Sequence, residues 1–382
     1  MAVLTLDLIV HVLANSIFHP FVASLLPLCS VALGHALLSP TTINATVYAA
    51  VISIAPALSR LNHRVAYGAP RHFDRKNEVV VITGGGSGLG RVIAEMFTMK
   101  GVTVAVLDIR VPSQEERKES ELLNKIGWYQ CDVSDVEAVE KAKARIEKEV
   151  RSPNLANPQS HPDTQISTKA KSPSPLLQHG PPTVLLNNAA TLLGQPFHTL
   201  TPAQLQNSLR VNLSAHLTTT SLFLPTLLTR PSGATIITLA SVLGKTPFNP
   251  AYLTDYAASK AGLIAFHHSL SADLRQPGAP PGAESVRTVL VTPGQLGTQM
   301  FAGVETPNAF LGPVVESVEL ARRVVEVVES GWGGEVSLPF YARCVEFVLV
   351  LPVGLQRFVR GLAGVDAAMA KRWERVSRGK TM

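Results

Sequence analysis

Charge is scarce in this chain, and scarcest at its start. Asp, Glu, Lys and Arg make up 16% of the 382 residues, against about 25% in an ordinary soluble domain. Residues 1–59 hold one charged side chain, Asp7, and the first basic residue is Arg60. A cleaved secretory signal needs a positive n-region, so the reading is a retained apolar anchor. Cysteine is equally sparse. Cys29, Cys131 and Cys344 lie far apart without a CxxC pair. That argues against a disulfide scaffold or structural zinc, suits a reducing compartment, and leaves no expected metal. A broad basic face is missing too. The net charge of +6 comes from 34 basic and 28 acidic residues. The one dense cluster, Arg60, Arg64, Arg71, Arg75 and Lys76, directly follows the apolar stretch. Basic residues there flank a membrane segment, so no nucleic-acid partner is expected.

What is present is apolar. Hydrophobic residues make up 46% of the chain and mean hydropathy is +0.20. This excludes disorder for most of the chain, provides a sizeable core and points to membrane attachment. The N-terminal region is apolar in three pieces: 3–18, broken by Asp7, His11 and Asn15; 21–38, with Pro27 and His35; and 43–58, with Pro56. Each is marginal against the roughly 20 residues of a spanning helix, but the region as a whole is long enough. A buried helix pair in a soluble protein is the competing reading. The basic residues after Leu58 place the remainder on the cytosolic side; the number of passes is not legible.

From residue 78 the pattern becomes regular. Apolar runs at 79–83, 102–107, 128–131, 184–186, 234–239 and 286–291 alternate with helical patterns at 91–100, 136–150, 202–228, 255–275 and 315–329. Strands apolar on both faces, alternating with helices, predict an α/β fold with a doubly wound parallel sheet. Residues 151–182 interrupt it with seven prolines and no apolar periodicity, which reads as a disordered surface insertion. A Pro-rich partner ligand competes with that, without a clean PxxP motif. The organisation expected is an anchor region with basic flank (1–77), one α/β domain (78–335) and an apolar C-terminal extension (336–382). Within the extension, 340–351 carries only Arg343 and Glu346 as charges. It is too short to span, which leaves an interfacial helix, a cover for a substrate cavity, or an ordinary core helix.

Three groups of residues carry chemistry. Thr83-Gly84-Gly85-Gly86-Ser87-Gly88-Leu89-Gly90 follows a strand and opens a helix. Glycines there let the backbone turn tightly and approach a pyrophosphate, whose charge meets the helix N-terminus. Asp108 ends the second strand, 18 residues after Gly90. Its carboxylate can accept from both ribose hydroxyls and would repel a 2′-phosphate, favouring NAD. Arg110, two positions on, leaves NADP open. Finally, Tyr256 and Lys260 share a helix face at i and i+4, with Ser241 at a strand end. A phenol of pKa about 10 is a poor acid–base group at neutral pH, and a nearby ammonium lowers that value.

These residues resemble the short-chain dehydrogenase/reductase family. The resemblance rests on Thr83–Gly90, Asn187-Asn188-Ala189-Ala190, Ser241, Tyr256-Ala257-Ala258-Ser259-Lys260 and Pro293-Gly294. It covers residues 78–335 and implies a Rossmann-type fold. The apolar N-terminus, Asp108 and the apolar tail resemble its membrane-associated branch of retinol and 17β-hydroxysteroid dehydrogenases. By this resemblance Tyr256 is the acid–base, Lys260 holds the nicotinamide ribose and lowers the tyrosine pKa, and Ser241 bonds the substrate oxygen. Asn212 supports a proton relay, Asp132 and Val133 meet the adenine, and Thr298 orients the carboxamide. Gly84, Ser87, Gly88, Leu89, Gly90, Asp108 and Asn188 complete the cofactor set. Ala190 replaces the family's usual glycine, and the 15 positions between Ser241 and Tyr256 exceed the common spacing. Tyr252 has no lysine four residues later and is set aside. His267 and His268 point to different faces, as core or surface residues and not metal ligands. Met300, Phe301 and Phe310 fall where the family places its mobile substrate segment.

The expected function is hydride transfer between a nicotinamide cofactor and a lipophilic alcohol or carbonyl of retinoid, steroid or long-chain type. The expected location is the endoplasmic reticulum or lipid-droplet surface, with the catalytic domain in the cytosol. A homodimer is implied by resemblance alone, since no interface is legible. Two alternatives are a non-catalytic dinucleotide-binding scaffold or sensor, which would be expected to lose Tyr256 or Lys260, and a soluble dehydrogenase of a polar metabolite.

Overall fold

A parallel seven-stranded sheet organises the chain, with strand order β3-β2-β1-β4-β5-β6-β7. The computed structural model describes residues 4–151, 181–246, 250–306, 308–365, 369, 372–374 and 377. Residues 152–180 of the expected Pro-rich insertion lie outside them. The strands are β1 (Val79–Thr83), β2 (Thr103–Asp108), β3 (Gly127–Gln130), β4 (Val184–Asn187), β5 (Ala234–Leu239), β6 (Val286–Val291) and β7 (Gly334–Val336). β7 escaped the sequence reading because Gly-Glu-Val is too short to form an apolar run.

Why these strands read as continuous apolar runs is visible in their two-sided burial. Val80 and Ile82 of β1 join one core with Ile93, Phe97, Leu320 and Val324. Val79 and Val81 join the other with Ile146, Phe223, Leu227 and Leu270. Successive side chains point to opposite faces, so helices on both sides leave neither face of the strands open to water. The strand order reverses between β1 and β4, opening a crevice at the carboxyl ends of the strands.

The N-terminal region forms three helices, Leu6–Ala14, Pro20–Ala32 and Pro40–Tyr67. Among the described residues, the last is the one helix long and apolar enough to cross a membrane. It runs past Arg60 and Arg64, so those residues lie within the helix and not in a flank beyond it. The rest of the basic cluster differs from expectation. Arg71 is buried beneath the sheet, bidentate to Glu78 at 2.7 and 2.9 Å, with Nε on Thr235 at 2.8 Å. Arg75 pairs with Glu329 at 2.9 Å. Proximity in sequence did not show that these two cations have partners inside the α/β unit.

Beyond β7 the chain forms a short helix (Tyr341–Cys344), a 3₁₀ segment (Val345–Val350) and, after Pro352, the helix Val353–Ala363. Phe347, Val350, Phe358 and Leu362 are more than half exposed here. Ala342 and Val345 instead pack on Val242, just past Ser241.

Candidate active site

The glycine loop is shaped by its neighbours. Gly84 takes φ +68°, and a Cβ on it would meet the Cα of Ala189 at 2.6 Å. A Cβ on Gly90 would lie 2.5 Å from the Gly84 carbonyl and from Asn188 Nδ2. No side chain fits at either place. Asn188 holds the loop by donating from Nδ2 to the carbonyls of Thr83 and Gly84, at 3.0 and 2.8 Å. Gly88, by contrast, is uncrowded: at φ +56°, a Cβ on it would have Thr298 Cγ2 as its nearest neighbour, in ordinary contact at 3.9 Å. Gly88 opens the helix Gly88–Met99, whose N-cap Ser87 makes no side-chain cap bond. Leu89 and Gly90 are buried behind it.

Asp108 sits where the sequence reading placed it, at the end of β2. One carboxylate oxygen accepts from the Gly86 N–H at 2.8 Å and the other from the Arg110 N–H at 2.8 Å. Asp108 therefore also fixes the glycine loop, a role sequence spacing does not reveal. Its carbonyl accepts from Cys131 N–H at 2.9 Å, which brings exposed Asp132 and buried Val133 to the same end of the crevice.

The second cluster lies across the sheet. Tyr256 and Lys260 are buried on the helix Thr254–Asp273, with Lys260 Nζ 5.5 Å from the Tyr256 ring centroid. Lys260 Nζ donates to the Leu239 carbonyl at 2.8 Å, anchoring the pair to the end of β5. Ser241, also buried, follows two residues later; its Oγ accepts from Leu243 N–H at 3.2 Å. Burial pushes the Tyr256 phenol above its ordinary value. It pulls the Lys260 ammonium down to about 7. Desolvation of both groups outweighs the expected lowering of the tyrosine by the lysine.

Asn212 occupies a widened π-type turn, Arg210–Ser214, that interrupts the expected continuous 202–228 helix. Such turns inside α-helices often sit at functional sites. Its side chain is tied to Thr191, accepting from the N–H at 2.7 Å and donating to the carbonyl at 2.9 Å. Nδ2 also reaches Ser208 Oγ at 3.4 Å, and Ser208 donates to buried Asp255, the residue before Tyr256. Ser208 and Asp255 were missed; the i, i+4 spacing of Ser208 and Asn212 was the available signal. His216 lies one turn beyond Asn212, with Nε2 on the Ala189 carbonyl at 2.9 Å. Burial holds its pKa down to about 3.

An aromatic side chain lies beside this cluster. Phe301 meets the Tyr256 ring edge-on at 6.2 Å. Beyond it, Arg372 bonds the Met300 carbonyl, fully buried Met369 contacts Gly194, and Trp373 stacks on Tyr252 at 6.5 Å. Tyr252 has φ +69°, a conformation a bulky side chain rarely adopts, and is the residue facing Trp373. The N-terminal helix is tied down as well: Leu6 N–H donates to the Phe310 carbonyl at 2.9 Å, and Asp7 accepts from Phe340 N–H at 2.7 Å. Asp7, the sole charge of the first 59 residues, thus docks that helix onto the C-terminal extension at Phe340. Tyr341, beside Asp7, packs between Gly294 and Gly312. His267 is buried and His268 exposed, on different faces as expected.

Comparison with known proteins gives a consistent result. The family model described as short chain dehydrogenase matches residues 78–154 and 176–309. The uncharacterized oxidoreductase TDA5 of Saccharomyces cerevisiae is 31% identical over 85% of this chain and 88% of its own length. Retinol dehydrogenase 10 of Homo sapiens is 30% identical over 61% of this chain and 66% of its own. A short chain dehydrogenase from Burkholderia cenocepacia, solved with NADP, superposes with a TM-score of 0.53 at 20% identity, covering 74% of this chain and 97% of that one. At that identity the likeness is one of fold.

Proposed function

Because the chain belongs to the short chain dehydrogenases, nicotinamide-dependent oxidoreductases, we propose that it interconverts a lipophilic alcohol and its carbonyl at a membrane surface, with NAD the preferred cofactor. Residues 78–335 form the catalytic unit in this reading, residues 1–77 the anchor and residues 336–382 the extension. The observation that carries the proposal is the burial of Tyr256 and Lys260 side by side, with Phe301 edge-on to the Tyr256 ring.

The crevice fits a dinucleotide. An added methyl at Gly88 would meet nothing closer than Thr298 Cγ2 at 3.9 Å, leaving room at the N-terminus of a helix, where a pyrophosphate is held by backbone N–H groups. Ser87, Gly88, Leu89 and Thr298 would hold the phosphates and carboxamide, and Asp132 and Val133 the adenine. Asp108 would take the ribose hydroxyls, which is the ground for NAD over NADP. When bound, the nicotinamide accepts or delivers the hydride.

The chain's own residues do the rest. Tyr256 exchanges the proton of the substrate oxygen, and Ser241 donates a hydrogen bond to that oxygen as charge develops on it. Lys260 holds the nicotinamide ribose from its seat on the Leu239 carbonyl. Asn212, fixed by Thr191 in the widened turn, supports the relay that returns the proton to Tyr256. Burial of the pair beside Phe301 excludes water from the oxygen being protonated. The similarity to a retinol dehydrogenase and the Pro40–Tyr67 helix support a lipid-soluble substrate met at a bilayer. The basic end of that helix supports placing the catalytic unit in the cytosol, on the endoplasmic reticulum or a lipid droplet. Pairing of two copies is proposed from the family alone.

The test is a screen of NADH formation with retinoids, steroids and long-chain alcohols, run beside Tyr256→Phe. The variant should bind NAD but turn over nothing. Substantial activity in Tyr256→Phe, or turnover confined to polar alcohols, would overturn the assignment.

A further inference from the structure

Of the basic residues after the apolar stretch, Arg60 and Arg64 stand apart. Arg71 and Arg75 are paired with Glu78 and Glu329. Arg275 and Arg287 donate to the carbonyls of Ala66 and Ala69 and so pin the end of the Pro40–Tyr67 helix to the catalytic unit. Among the described residues, neither the Arg60 nor the Arg64 guanidinium has a hydrogen bond or ion pair, although each lies in the same helix. They are one turn apart and share a face.

Both line a cavity of about 480 Å³ together with Ser59, Leu61, His63 and Trp332. Its far side is fixed. The His63 ring packs so closely on Gly334 that a Cβ there would approach it to 2.9 Å. It also meets Trp332 edge-on at 5.1 Å and Tyr67 at 4.7 Å. Two free guanidiniums and an indole therefore face one space, held between the helix and the residues leading into β7. Depth in a bilayer follows from length. At about 1.5 Å per residue, residues 40–58 rise about 28 Å, matching a hydrocarbon core of about 30 Å. Arg60 and Arg64 then emerge at headgroup level, where amphipathic indoles also concentrate.

We propose that this cavity binds the headgroup phosphate of an anionic phospholipid, gripped by Arg60 and Arg64 and covered by Trp332. Guanidinium pairs suit phosphate through charge-assisted, forked hydrogen bonds. The bound lipid would fix the catalytic unit's orientation against the bilayer from which substrate arrives. The inference rests on reading Pro40–Tyr67 as a membrane span.

The full chain would be reconstituted in phosphatidylcholine vesicles with and without phosphatidylserine, and with inorganic phosphate added to the first. Vesicle flotation, thermal stability and phosphatidylserine retained after detergent extraction are then measured. Phosphatidylserine should raise stability and be retained, while inorganic phosphate should do neither. In R60Q/R64Q retention should fall about 30-fold, about fivefold per basic residue, with flotation intact. R322Q/R323Q, on the exposed side of the helix Ser317–Ser330, should behave as wild type. Equal retention in R60Q/R64Q, loss in R322Q/R323Q, or an equal effect of inorganic phosphate would overturn the site. Failure of the wild type to float would instead remove the membrane reading on which it stands.

Discussion

Replacing Asp108 with Ser tests cofactor choice, and the structure sets what to expect. The carboxylate already accepts from two backbone N–H groups, those of Gly86 and Arg110, at 2.8 Å each. Its remaining lone pairs are the ones that proposed bonds to ribose hydroxyls would use. Charge-assisted bonds of that kind are worth about 1.5–3 kcal/mol, or one to two decades in NAD affinity. A 2′-phosphate about 4 Å from the carboxylate would meet a repulsion of about 1 kcal/mol per unit charge even in water, which the substitution removes. Together these move the ratio of kcat/KM for NADP over NAD by at least about tenfold. The assay is initial rates with each cofactor at fixed alcohol, paired with cofactor Kd from fluorescence quenching. A wild type that already prefers NADP, or an unchanged ratio in Asp108→Ser, would refute the assignment. An equal fall with both cofactors would show that Asp108 matters as the Gly86 clamp and not as a ribose ligand.

Other perturbations should be equally readable. Glu78→Gln leaves Arg71 buried without its charge partner, which costs about 3–5 kcal/mol; the Tm in detergent should drop by several degrees, and no change would mean the pair is solvated. Asp7→Leu removes the bond that docks the N-terminal helix at Phe340, so KM for a lipophilic alcohol should rise about tenfold while KM for NAD holds; equal changes in both would sink that role. His216 stays neutral in the folded chain down to about pH 3, whereas the unfolded chain protonates it near 6.5. Its stabilising contribution is therefore complete above pH 6.5 and declines as pH falls, by about 2 kcal/mol between pH 7 and 5. His267, held down to about 4 by burial, acts in the same sense. Denaturation midpoints across that range should flatten in His216→Gln, and a slope unchanged from wild type would refute the argument.

Much of the molecule was legible in the chain itself. The alternation of apolar runs and amphipathic helices specified a doubly wound parallel sheet, because strands covered on both faces read as mostly apolar runs and not as an apolar–polar alternation. The order of the glycine loop, Asp108, Ser241 and the Tyr256–Lys260 pair pointed to one chemistry, since helix periodicity alone puts i and i+4 on a common face. Tertiary structure decided the rest. It buried Arg71 on Glu78, turned Asp108 into a clamp on Gly86, and opened a widened turn at Asn212, none of which local spacing encodes. It added β7, whose three residues acquire strand geometry by pairing with β6. It also tied both ends of the chain to distant residues, Asp7 to Phe340 and Trp373 to Tyr252. Contacts between residues so far apart in the chain depend on how the sheet folds it back on itself, and a linear pattern holds no record of them.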